Sequence, residues 1–227
     1  MTALAGIGLY SPKQAERLIG VDAAKIRRWL LAEDNSNGPL WHPEPEALGL
    51  ENTLSFKDLL EIRAVAQFRK HGVTLPTIRV ALINLSKLMQ RDYPLLHPQL
   101  VTDGRDVILK AMKDNGETAM TDLTRFQDIM TEIVAPSIKD RITFDASNNP
   151  IRWSPDFRDP DIVVDPKFAF GKPIVLPGHM STGALFESYK AEEGDADVVA
   201  RNFEITVDEV MRAVSFEKRM AAGEFFH

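Results

Sequence analysis

The sequence predicts a mainly α-helical protein with small β elements. It divides into an N-terminal winged helix-turn-helix, a central hairpin-and-helix connector and a C-terminal unit of three helices. Three observations carry this expectation. Apolar residues recur at helical spacing, as in Ala15/Leu18/Ile19 and Leu75/Ile78/Leu82/Leu85/Met89. Helix-start signals stand at the heads of such runs: Ser11-Pro12, Asp22, Ser55 with Asp58, Thr74 and Thr206. Runs of strand character are short, as in Ile142-Thr143-Phe144 and Ile162-Val163-Val164. The expected boundaries are 1–91, 92–158 and 159–227.

Ser11 at an N-cap with Pro12 at the first helical position starts a helix without wasting a backbone donor. Gly20 stops it, and Asp22 caps a second helix through Leu30. Two short helices around a tight glycine turn make a helix-turn-helix. Ile26, Trp29 and Leu30 form the inner face of its second helix, and Lys25, Arg27 and Arg28 project from the other sides. A polar loop, residues 33–49, follows; a strand pair flanking it forms the expected wing. Ser55 and Asp58 resemble a capping box for a helix through Phe68, ended by Gly72. Thr74 caps the next, whose 3-4 seam to Met89 suits core packing over a dimer coil.

In the middle third, Asp103-Gly104 between Leu100-Val101 and Val107-Ile108-Leu109 is a hairpin signal. A helix is expected over Asp122–Val134, and a second hairpin joins 142–144 to 151–153 through Asn148-Asn149-Pro150. Beyond a proline-punctuated boundary at 155–160 come a strand at Ile162-Val163-Val164 and an extended Phe168–Leu176 segment. Three helices finish the chain, over about 181–191, 195–203 and 207–220.

Composition removes whole classes of function. At 44% hydrophobic and 26% charged, the 227 residues are those of an ordinary globular chain. With no cysteine, thiol redox chemistry, thiolate zinc sites and iron–sulfur clusters are excluded. No apolar run approaches the roughly 20 residues of a membrane span, and the N-terminus lacks the charge pattern of a secretory signal. The expectation is a cytoplasmic protein with no membrane partner.

The net charge of −6 hides a split: residues 1–100 carry +2 and residues 101–227 carry −8. Residues 10–30 alone hold five basic side chains, Lys13, Arg17, Lys25, Arg27 and Arg28, against two acidic ones. A positive strip on an acidic chain is how a nucleic-acid footprint hides. Enzyme chemistry has no comparable support. No two of the five histidines fall at the i, i+4 spacing of a helical zinc site, and Gly6-Ile7-Gly8 lacks the rest of a phosphate loop. Ser11 and Ser181 are explained as helix caps, and Asp159, Asp161 and Asp165 by capping and solvation. No catalytic residue, metal site or cofactor is expected.

The first 90 residues resemble the N-terminal domain of MerR-type winged-helix regulators. The matching stretches are Tyr10-Ser11-Pro12-Lys13-Gln14-Ala15, Gly20-Val21-Asp22, Ile26-Arg27-Arg28-Trp29, Leu54-Ser55-Phe56-Lys57-Asp58-Leu59 and Gly72-Val73-Thr74-Leu75. Where that family's wing presents Tyr-Arg, this chain has Leu54-Ser55 behind a loop carrying Glu44, Glu46 and Glu51, so its wing offers phosphate little attraction. The last 68 residues resemble the homeodomain-like domain of VapB-type antitoxins. That signature is Ile162-Val163-Val164-Asp165-Pro166, Phe170-Gly171-Lys172-Pro173-Ile174-Val175, Ser181-Thr182 and Ile205-Thr206-Val207-Asp208-Glu209-Val210. The combination is similar to a longer subclass of VapB antitoxins, whose toxins are PIN-type ribonucleases.

The resemblance implies a homodimeric antitoxin that binds operator DNA and neutralises a ribonuclease toxin. Electrostatics assigns DNA reading to the N-terminal unit, because Asp208, Glu209 and the acidic run at 192–197 oppose phosphate. The expected DNA-binding residues are Lys13, Lys25, Arg27 and Arg28. The expected toxin contacts are Glu224, Phe225 and Phe226, a terminal aromatic pair beside a carboxylate. Two alternatives stand beside this reading: a MerR-type regulator sensing a small molecule, and an interaction adaptor without a DNA role.

Overall fold

Two short strands, β1 (Leu9–Tyr10) and β2 (Leu54–Ser55), pair antiparallel and clip the start of the chain to the head of its third helix. The structure, a computed structural model, describes residues 7–31, 38–100, 106, 108, 120–136 and 140–224. Between the strands lie α1 (Pro12–Ile19) and α2 (Ala23–Leu30). Ser11 and Gln14 close a capping box on α1, and Gly20 ends it at a φ of 67°, a left-handed turn that glycine adopts freely. Asp22 caps α2 through the amides of Ala24 and Lys25. Among the described residues no pair of strands flanks the loop after α2. The partner of β2 is β1, and the loop's described part carries a 3-10 turn over Glu44–Leu48. Pro43 and Pro45, which donate no ladder hydrogen bond, favour the turn.

α3 (Phe56–Lys70) starts from the capping box of Ser55 and Asp58, and α4 (Leu75–Met89) from Thr74. Ile78, Leu82 and Leu85 of the predicted seam are buried with Ile26, Trp29, Leu59 and Phe68, so the seam belongs to the core. Ile83 and Leu88 of α4 stay exposed.

The central helix α5 (Met120–Ile129) continues through a π turn over Met130–Val134; it starts two residues before the span predicted for it and covers that span. It packs into the same core, where Phe126 stacks on Phe68 with centroids 4.1 Å apart. Of the predicted first hairpin, Asp103 and Gly104 lie outside the described residues. Its described flanks Leu100, Asp106 and Ile108 are helical, not extended, and burial of Leu100 and Ile108 overrides the local turn signal.

The second hairpin is present as β3 (Ile142–Phe144) and β4 (Pro150–Trp153). It continues into β5 (Ile162–Val164), β6 (Pro173–Val175) and β7 (Met180–Ser181), so one antiparallel sheet in sequence order links the central segment to the C-terminal one. The expected extended stretch from Phe168 is instead broken by a 3-10 turn, with Ala169 and Phe170 both at positive φ. α6 (Thr182–Ala191) and α8 (Val207–Ala222) then pack on the strands, and α7 (Ala196–Phe203) packs on both of these helices. Their core is Leu185, Val199, Val210, Val214 and Phe216, and Leu18 of α1 packs against it as well as against the N-terminal core.

Candidate nucleic-acid interface and partner surface

α2 owes its two-sided character to residue order. Ile26, Trp29 and Leu30 point into the core, while Lys25, Arg27 and Arg28 are exposed. The carboxylate at its head, Asp22, is occupied by capping. Lys13, on the first turn of α1, is 79% exposed and pairs with Glu16 at 2.6 Å. The predicted cations therefore lie on one helix-turn-helix, three of them on its second helix. Arg17, the fifth cation of the basic strip, is turned to another purpose: it reaches Glu217 of α8 at 2.7 Å, joining the two ends of the chain.

Sequence reasoning missed what faces α2. Lys25 and Arg28 line a cleft with Arg63, Arg69, Lys70 and Arg141. The two groups are up to 116 positions apart, and only the tertiary fold brings them together. Arg27 is not among the residues lining it.

The C-terminal helical unit is electrostatically different. Glu209 is buried and closes a capping box with Thr206, and it also accepts the amide of Gly178 at 2.9 Å. Burial pushes its carboxyl up, but the bonds from Thr206 and Gly178 prevail and hold it below the usual carboxylate range. Asp208 pairs with Arg212 at 2.8 Å, and Arg212 also gathers Asp159 and Asp161, while Asp165 pairs with Arg152. Among the described residues no group of three or more metal-ligating side chains converges. Ser181 occupies the N-cap of α6 but makes no side-chain capping bond, contrary to expectation. The neighbouring Thr182 instead gives its hydroxyl to Glu217 at 2.6 Å.

Of the expected toxin contacts, Glu224 lies at the end of α8, paired with Arg158 at 3.3 Å and about half exposed. Phe225 and Phe226 lie outside the described residues.

No family model matches the chain. It is 25% identical over 215 residues to a Mycobacterium tuberculosis protein named "Putative antitoxin VapB45", across 83% of this chain and 89% of that one. The two are distant homologues. An X-ray crystal structure of Rv2018 from Mycobacterium tuberculosis superposes with a TM-score of 0.71 at 22% identity, over 92% of this chain and 99% of the other. The fold is therefore that of the Rv2018 structure along nearly its whole length. No helix among the described residues is long and apolar enough to cross a membrane.

Proposed function

We propose that this protein is an antitoxin: a homodimeric repressor that holds operator DNA with its N-terminal helix-turn-helix and neutralises a toxin with its C-terminal unit. One observation carries the DNA half: α2 presents Lys25, Arg27 and Arg28 outward while its apolar face locks it into the core. Arginine reads guanine edges bidentately, and lysine and arginine neutralise phosphate, which is what a major-groove helix must do. Lys13 then contacts the backbone from the first helix. Homology over most of the chain to a protein named as an antitoxin supports the toxin half.

The resemblance to VapB antitoxins implies a PIN-type ribonuclease as the toxin. The charge of −8 on residues 101–227 suits a partner that handles RNA and so presents basic surface. Co-expression with neighbouring genes, followed by pull-down and mobility shift on upstream DNA, tests both halves. An isolated protein that retards no DNA and captures no neighbour overturns the reading.

A second reading, a regulator responding to a small molecule, has one feature in its favour. A cavity of about 1040 Å³ lies beside Trp41 and Tyr93, at the upper limit of the usual size of ligand sites. Saturation of that cavity by a metabolite that changes DNA retention, without any protein partner, decides for it.

A further inference from the structure

The cleft beside α2 encloses about 780 Å³ between two walls from different parts of the chain. Lys25 and Arg28 stand on the α2 side. Arg63, Arg69 and Lys70 come from the second half of α3, and Arg141 is the residue before β3. Six of the described lining residues are thus cationic, and one, Asp140, is anionic. Like charges gathered across a cleft oppose folding.

Several of these groups lie against neutral ones. Arg69 donates to the carbonyl of Val73 at 2.6 Å. The guanidinium of Arg63 lies 5.6 Å from the Trp153 ring centre, and that of Arg141 lies 5.7 Å from the ring centre of Phe157. Burial, and then repulsion by Arg141, push the Arg63 guanidinium down to about 10, still well above neutral pH. Phe157 is 63% exposed, with Arg158 on it at 5.2 Å as well, so its ring acts as a brace between two guanidinium groups.

We propose that this cleft seats the sugar–phosphate backbone of double-stranded DNA, with Arg69, Lys70 and Arg141 meeting phosphates on the wall opposite α2. The inference deepens the DNA reading above and rests on it. A single small anion needs two or three converging donors. Lys25 on α2, Arg69 and Lys70 at the end of α3 and Arg141 at the start of the sheet are spread over three elements, which instead suits a ligand that carries charge at regular intervals, as a duplex does. Arg27 projects outside the cleft, where a duplex lying across the rim still reaches it and a small anion within the cleft does not.

Phosphate contacts are independent of sequence, so a fluorescein-labelled random duplex of 30 base pairs is a sufficient probe. Binding is measured by anisotropy at four salt concentrations for the full chain and for Lys70→Gln, Arg141→Gln and Arg27→Ala, with melting curves to verify the fold. Lys70 is exposed on the last turn of α3, so its variant keeps the test open should Arg141→Gln fail to fold. The expected result is that each cleft variant reduces the slope of log K against log salt by about 0.9, one phosphate contact each. If the parent binds and Arg27→Ala weakens it while Lys70→Gln and Arg141→Gln keep the parental slope, the cleft assignment falls and the α2 reading stands. If the cleft variants lose slope and Arg27→Ala does not weaken binding, the cleft stands and Arg27 leaves the reading set. A parent that binds no duplex overturns both, and one that prefers the single strand overturns the duplex assignment.

Discussion

The phenol of Tyr10 donates a 2.8 Å hydrogen bond to the carbonyl of Gly171, 161 positions away. Both residues are buried, and burial, followed by the nearby Asp165 carboxylate, pushes the phenol above its ordinary range. The bond ties β1, the strand leading into the helix-turn-helix, to the turn leading into β6. Gly171 sits at a φ of 79°, and a Cβ there would overlap the Tyr10 hydroxyl. Glycine is required for conformation and for space alike.

Tyr10→Phe is expected to lower stability by about 1–3 kcal/mol, because it leaves a buried carbonyl without its donor. Gly171→Ala should cost more, since it adds backbone strain to the overlap. Urea denaturation of both variants measures this. Parental midpoints for both would show that the tie contributes nothing to stability.

A pH dependence follows from Glu61. Its side chain is buried, one carboxyl oxygen accepts the Leu95 amide at 3.2 Å, and the other has no hydrogen-bond partner among the described residues. Burial first, then the Leu95 bond in opposition and the Asp58 charge in support, leave the carboxyl raised to about 8. Unfolded, it titrates near about 4.3. Between those values the folded state holds a proton that the unfolded state has released. Glu61 therefore favours folding most below about pH 4, and that contribution is lost as pH rises towards 8, at up to about 1.4 kcal/mol per pH unit. Denaturant midpoints at pH 5, 6.5 and 8 should show the parent falling relative to Glu61→Gln. Parallel profiles would mean that Glu61 ionises normally.

Local signals made most of the helices legible. Ser11, Asp22, Ser55, Thr74 and Thr206 all cap where the sequence places them, because a capping bond spans two or three residues and needs no tertiary partner. The three C-terminal helices fall within two residues of expectation for the same reason. What local signals missed is non-local. The strand that pairs with β2 precedes α1, and no periodicity near residue 54 points back to Leu9. Phe170 adopts the left-handed region although its type disfavours it, held by a turn whose geometry Gly171 and Tyr10 fix. Of the site, the outward cations of α2 could be read from helical spacing. Their companions Arg63, Arg69, Lys70 and Arg141 could not, since their approach depends on how α3 and the sheet pack.

The DNA reading makes a direct prediction. Arg27→Ala with Arg28→Ala should abolish operator retention with fold and dimer intact, because both residues are exposed and the face that packs is Ile26, Trp29 and Leu30. A base-reading arginine contributes about 1–3 kcal/mol, and a phosphate contact steepens the salt dependence. Mobility shifts at two salt concentrations, with melting and sedimentation as controls, measure both. Unchanged retention removes these two residues from the interface.

We expect the end of the chain to separate stability from partner binding. Glu224 pairs with Arg158 at 3.3 Å, with both side chains about half exposed, and such surface pairs contribute about 0–1 kcal/mol. α8 is already closed by Gly223 at a φ of 73°, whose amide returns to Arg219 and Met220. Removal of residues 224–227 takes from the helix end the bond of the Glu224 amide to the Arg219 carbonyl at 3.1 Å, and takes none of the core residues Val210, Val214 and Phe216. It does remove Phe225 and Phe226, aromatic groups of the kind that dominate interfaces, together with the carboxylate beside them. The truncated protein should melt close to the full chain and retain operator equally well. Its neutralisation of the toxin should weaken at least tenfold, about 1.4 kcal/mol. Titrating ribonuclease activity with the two proteins measures the difference. A truncated protein that melts earlier yet neutralises normally would assign the tail to the fold and free the partner surface to be sought elsewhere on the C-terminal unit.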